Sequence, residues 1–267
     1  MTDSCKRWPK WLLEQATAPP PEGCEGLIVP DSTPVVSFGN PMQATVATIG
    51  LNPSALEFLE SWGGPVLPED QRRLAVRESA EISDCRLGAK ILDGCAGYFG
   101  RNPYEGWFLP LDRILRTGVH ASYYAESRSD ASGLNLACHL DLSPWATVRR
   151  WSILKGPEKK SFLEDGINNK GGIFFLRQHL LQGNYRLVIV NGSGVRKEMK
   201  RFLPKWEKRT HPSVPSDVKL HECQLGDTQI LAWSRHIQKK KELKHIPALT
   251  KFVKERYDKF HNERRTP

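Results

Sequence analysis

No run in this 267-residue chain approaches the ~20 consecutive apolar residues that a bilayer-crossing helix needs. The apolar stretch around Arg186 to Val190 falls far short of it. No membrane partner is therefore expected. The opening residues, Met1-Thr2-Asp3-Ser4-Cys5-Lys6, lack the apolar core of a secretory signal, so a cytoplasmic location is expected. Cysteines are few, at positions 5, 24, 85, 95, 138 and 223, and none forms a CxxC pair. That spacing excludes a zinc ribbon or a local iron–sulfur cluster, and the thiols read as reduced. No metal and no cofactor are expected. The glycine spacings GxGxxG and GxxxxGKS are also missing, which argues against a dinucleotide or P-loop phosphate site.

Acidic residues are the scarcer charge: 30 Asp+Glu stand against 39 Lys+Arg, a formal net charge of +9. The excess is concentrated. Residues 195–209 carry seven basic and two acidic side chains, and residues 236–267 carry ten and four. The rest of the chain is close to neutral. Two basic segments on a near-neutral body point to a polyanion such as DNA. The plainer alternative is a solvated helix face and a soluble tail. Hydrophobic content of 39% is ample for a folded core, and a monomer is expected.

Periodicity gives the organisation. Residues 1–32, with a short helix over Trp8 to Gln15 and the cluster Pro19-Pro20-Pro21, read as an N-terminal extension. Residues 33–267 read as a single domain. Short β-rich runs over Pro34–Phe38 and Thr45–Ile49 are followed by helices over Glu69–Ser83, Leu87–Tyr98 and Gly106–Arg116. A strand at Leu134–Leu142, helices near 159–165 and 172–182, a buried strand at Arg186–Val190 and a helix at Val195–Phe202 come next. Val218–Gln224 and Thr228–Trp233, joined at Gly226-Asp227, form a hairpin, and a last helix starts near Pro247. Strands separated by helices predict an α/β fold, a three-layer α-β-α sandwich around a mainly parallel four-stranded sheet.

Ligands of such sheets sit beyond the carboxyl ends of the strands. Four segments occupy those ends: Gly50-Leu51-Asn52-Pro53-Ser54, His139-Leu140-Asp141 running on to Trp145, Asn191-Gly192-Ser193, and Ser234-Arg235-His236-Ile237. Polar groups thus gather where each central strand stops. His139 and Asp141, two apart on a strand, share a face.

These residues resemble the uracil-DNA glycosylase superfamily, over roughly residues 33 to 238. Gly50-Leu51-Asn52-Pro53-Ser54 is similar to its first active-site motif, closest to the GINPG form of the mismatch-specific and thymine-DNA branch. The stretch Asn102 to Phe108, with Tyr104 and Trp107, resembles the aromatic wall of that branch's base pocket. Asn191-Gly192-Ser193-Gly194-Val195 resembles its strand–glycine–helix segment, and Ser234-Arg235-His236-Ile237 stands where its second motif lies. His211-Pro212-Ser213 also spells that second motif, but it precedes the hairpin and is set aside.

The resemblance implies hydrolysis of a base–sugar bond in DNA. Asn52 would hold the attacking water, or else it is an ordinary turn residue before Pro53. Asp141 is the nearest carboxylate, with a cap for Leu142-Ser143 as the alternative. His139 and His236 compete to bond the base or its anion, and a satisfied core histidine is the alternative for His139. Gly50, Leu51, Pro53, Tyr104, Trp107, Phe108, Trp145 and Asn191 would shape the base pocket. Ser54, Gly192, Ser193, Ser234 and Arg235 suit phosphates around a flipped nucleotide, and Arg196, Lys197, Lys200, Arg201, Lys239 and Lys240 add backbone charge. Ile237 is either an apolar wedge that fills the stack or a core residue.

The departures from the family are specific. HLDLSPWAT replaces the asparagine-rich uracil-reading strand, and no lysine lies inside the motifs to form a Schiff base. The expectation is a monofunctional glycosylase for a damaged, mismatched or modified base, including phage-modified pyrimidines, acting in repair or in defence. A non-catalytic nucleic-acid-binding protein on the same fold is the alternative. A small-molecule enzyme using the Gly192-Ser193-Gly194 turn comes third.

Overall fold

The computed structural model describes residues 6–77, 85–164, 171–203 and 205–263. Seven helices and seven strands lie among them: α1 Lys10–Ala16, β1 Val46–Gly50, α2 Cys85–Ala96, α3 Glu105–Val119, β2 Ala121–Ser122, β3 Asn135–Asp141, α4 Gly156–Leu163, α5 Gly172–Gln182, β4 Leu187–Asn191, α6 Ser193–Met199, β5 Glu207–Arg209, β6 Leu220–Leu225, β7 Thr228–Trp233 and α7 Ile246–Glu263. The protein is α/β, with one mainly parallel sheet in the order β2-β3-β1-β4-β7-β6-β5.

The sheet centre follows from its sequence. β1 and β4 are short apolar runs with every residue buried, as strands covered on both faces must be. They pair in parallel from Val46 with Leu187 to Ile49 with Val190. β4 in turn pairs β7 in parallel, up to Asn191 with Trp233. β6 returns antiparallel to β7 through Gly226, whose φ of 55° suits glycine in a tight turn. The strand count corrects the four-stranded expectation. Two-residue β2 and the charged Glu-Lys-Arg of β5 carry no apolar alternation to reveal them, and the hairpin adds its own edge.

Two compact units are distinguished along the chain. The first comprises residues 1–41, 51–103 and 140–182; the second comprises 42–50, 104–139 and 183–267. Within the first, Trp145 packs in a buried cluster with Cys24, Phe162 and Phe175. Within the second, α3 and α7 lie so close at Gly118 that a Cβ there would come 3.3 Å from Val253. Leu249, Phe252 and Val253 are the buried stripe of α7.

Two local expectations fail. Glu69–Ser83 is not a helix in its described part. A single 3-10 turn spans Glu69–Gln71, and Val76 bridges Ser32. Leu74 and Val76, the buried residues here, are two apart, which is the period of extended chain. Pro34–Phe38 is buried but forms no named strand; Val35 donates its N–H to the Pro144 carbonyl at 2.7 Å instead. The thiols also differ in part. Cys24, Cys95, Cys138 and Cys223 are free and buried, whereas Cys85 is disulfide-bonded. Pairing depends on how two Cβ atoms approach, which sequence spacing does not reveal.

Candidate functional site

The chain enters the first unit just after β1, with the turn Leu51-Asn52-Pro53. The Leu51 carbonyl accepts the Ser143 N–H at 3.0 Å, which fastens this turn beside the segment that follows β3. Asn52 is half-buried, and both of its side-chain bonds come from Nδ2: to the Pro53 carbonyl at 2.9 Å and to Thr147 Oγ1 at 3.1 Å. Thr147 passes its own proton to the Arg149 carbonyl at 2.7 Å, so its oxygen is oriented to receive the amide. Oδ1 of Asn52 is thereby left as the acceptor of the group. Ser54 caps the 3-10 turn Ala55–Glu57, accepting the Leu56 N–H at 3.2 Å.

Glu57, in that turn, is the residue that sequence reasoning missed. Its carboxyl is 3% exposed and accepts the Tyr98 hydroxyl at 2.8 Å, with Arg73 Nη1 4.0 Å away. Burial pushes its pKa up to about 7; the Tyr98 bond and the Arg73 charge oppose that rise, and the negative field of Asp141 adds to it. Asp141 itself stays half-buried at the end of β3. Two carboxyls thus share one electrostatic neighbourhood, Glu57 just downstream of the Asn52 turn and titrating near neutrality, and Asp141 at the end of β3. The only sequence signal for Glu57 was a charged residue between apolar neighbours, Leu56 and Phe58.

In the second unit, the ends of β4 and β7 are wired together through Asn191. Its Oδ1 accepts Trp233 Nε1 at 2.8 Å and the Ile237 N–H at 3.4 Å, and its Nδ2 donates to Gln238 Oε1 at 2.6 Å. Asn191 therefore holds the turn after β7, with its hydrogen-bonding capacity committed. Gly192 follows at φ 109°, and a Cβ there would lie 2.3 Å from His236 Cε1. The imidazole of His236 thus rests flat on a position that only glycine can occupy. It is half-buried, and burial, with Lys239 nearby, lowers its pKa. A neutral ring results at physiological pH.

The remaining predicted residues divide plainly. His139 is buried in a core network: Nδ1 lies 2.6 Å from Thr48 Oγ1, which lies 2.5 Å from the Tyr123 hydroxyl, and Phe108 packs edge-on to the ring. His139, Phe108 and Trp145 are core groups here, and a buried ring already held by neighbours is not presented to a base. Tyr104 is 43% exposed and Trp107 half-buried. Gly50 and Pro53 are buried, and Leu51 is half-buried. Ile237 is 0% exposed, which places it in the core and removes the wedge reading: its N–H and its place after β7 draw it under Asn191.

Arg235 is committed to Asp217 at 2.6 Å and lies 3.9 Å from Glu242, so it is not free for phosphate as expected; Ser234 accepts the Lys219 N–H at 3.0 Å and keeps its hydroxyl proton to donate. Ser193, Lys197, Lys200, Arg201, Lys239 and Lys240 are exposed and Arg196 half-buried; Arg201 pairs with Glu198 at 3.2 Å. His211 packs against Phe252 and lies 3.0 Å from Glu255, outside any named strand and just past the end of β5 at Arg209.

Among the described residues no group of three or more His, Cys, Asp or Glu could hold a metal ion, and no helix is long and apolar enough to cross a membrane. No family model and no curated protein matches the chain.

Proposed function

We propose that this protein is a monofunctional DNA glycosylase of the uracil-DNA glycosylase type, built on the three-layer α-β-α arrangement of that superfamily, which removes a non-standard base and leaves an abasic site. The observation that carries the reading is Asn52. Its amide nitrogen is tied down at both bonds, so Oδ1 is the atom that can accept a hydrogen bond from the attacking water. An amide orients water without taking its proton. Cleavage of the C1′–N bond builds positive charge on the sugar and negative charge on the base, so the barrier falls mainly through placed charge and dipoles. Asp141 supplies negative charge for the sugar and a destination for the water proton. Exposed Lys197 on α6 and exposed Lys239 and Lys240 supply backbone contacts.

The test is base release. Oligonucleotides and phage DNAs with assorted modified pyrimidines are incubated with the protein, and free bases are measured by mass spectrometry. Asn52→Ala should lower release by about 100-fold or more, the scale for losing one placed polar group, while DNA binding persists. DNA binding with no base released from any substrate supports the non-catalytic reading instead.

A further inference from the structure

A second feature of the second unit lies away from the strand-end motifs. The cavity bounded by α6, β5, β6 and the turn at residues 210–219 has a volume of about 1080 Å³. Six cations line it (Arg196, Lys200, Lys205, Lys208, Arg209 and Lys219) and no carboxylate does. Arg209 is neutralised by Glu207 and by Glu222, the latter at 2.7 Å. The other five have no carboxylate partner among the described residues. So many like charges around one space repel one another, and the arrangement is relieved by a multiply charged anion.

Two buried nitrogens stand among these charges, His221 being the cross-strand partner of Lys208 and Trp206 following Lys205. His221 is 6% exposed, and its buried Nδ1 has no hydrogen-bond partner; Trp206 Nε1 is likewise buried and unpartnered. Burial first, then Arg196, Lys200, Lys208 and Lys219, drive the His221 pKa down to about 4, so the ring feels the positive field of the same cations. Orphaned buried nitrogens are costly, and a ligand that bonds them removes the penalty. Val214, Val218 and Leu220 complete an apolar floor.

We propose that this cavity is a binding site for a nucleoside polyphosphate, with the phosphates held by Arg196, Lys200, Lys208 and Lys219 and the base set against Trp206 and His221. The volume is that of a small-molecule site. Charge density separates this ligand from a DNA strand. A strand carries one phosphate charge per nucleotide step, whereas a triphosphate concentrates several on one small molecule, matching five unpaired cations around one cavity. The proposal does not rest on the glycosylase reading.

The experiment titrates ATP, GTP and inorganic triphosphate into the full chain. Tryptophan fluorescence and melting temperature are followed, with Trp206→Phe, the double variant K200E/K208E and Asn52→Ala alongside. Saturable nucleotide binding is expected, tighter than for inorganic triphosphate and unaffected by Asn52→Ala. The fluorescence response should vanish in Trp206→Phe. Affinity should fall about tenfold or more in K200E/K208E, whose exposed side chains leave the ligand-free melting temperature unchanged. Absence of saturable binding, equal affinity for inorganic triphosphate, or unaltered affinity in K200E/K208E overturns the proposal. So does binding of a short oligodeoxythymidylate, but of neither nucleotide, that K200E/K208E abolishes, since the cavity is then part of a DNA path. Loss of base excision in Asn52→Ala with nucleotide binding intact leaves it standing.

Discussion

Glu57 makes a quantitative demand on stability. Its folded-state pKa of about 7 exceeds its ordinary value of 4.5, so the folded protein binds this proton more tightly than the unfolded chain does. Stability from the protonated carboxyl is fully present below the lower value and is lost as pH rises through the higher one. The full gap corresponds to roughly 3 kcal/mol, and about 2.5 kcal/mol of it falls between about pH 5 and about pH 8. His236 and His221 titrate the other way. Their depressed values make the fold gain stability as pH rises out of the acid range. Raw pH profiles therefore mix the two signs, and a difference is needed. Glu57→Gln keeps an acceptor for the Tyr98 hydroxyl and removes the charge. Urea unfolding of both proteins across this pH range should give free energies that converge in acid and separate by about 2 to 3 kcal/mol at the alkaline end, with the glutamine variant the more stable. Parallel curves would refute the placement of an ionisable carboxyl in that buried turn.

Other outcomes can be measured directly. Gly192→Ala drives a methyl into the His236 ring and forces a positive φ on alanine. It should cost about 1 to 3 kcal/mol, with the His236 imidazole resonances displaced in NMR spectra. Ile237→Ala should destabilise the fold by about 2 to 5 kcal/mol in chemical denaturation, as a core truncation does; a variant with an unchanged melting temperature would restore the wedge reading. DNA affinity should fall steeply as salt is raised, and Lys197→Ala should reduce the slope of log affinity against log salt by about one, checked by fluorescence anisotropy.

What was legible in the sequence is what local pattern controls. β7 was read to the residue, because Thr228–Trp233 is a fully buried run entered from a Gly-Asp turn. α2, α3 and α7 were found within a few residues from their apolar spacing. Asn191-Gly192 was recognised as a strand–glycine–helix junction, but its purpose depends on His236, which arrives from another strand. The same limit hid Glu57, whose partners Arg73 and Tyr98 lie well along the chain, and misjudged Arg235, whose carboxylates Asp217 and Glu242 flank it from either side. Hydrophobic alternation predicts which face is inward; it does not say which polar side chain is already spoken for.

Neither compact unit is contiguous in the chain, and that has a consequence during synthesis. β1 leaves the ribosome early, yet its partner β4 begins only at Leu187. Those roughly 140 intervening residues take about 7 to 28 s to translate at ~5–20 residues per second. Throughout that interval Val46 to Gly50, a strand buried on both faces in the native protein, has no β4 beside it. Long-range parallel pairing of this kind folds slowly and leaves sticky strand edges open to other chains. Expression yield should therefore depend on chaperone supply and temperature more than on native stability, and neither unit can be obtained by simple truncation.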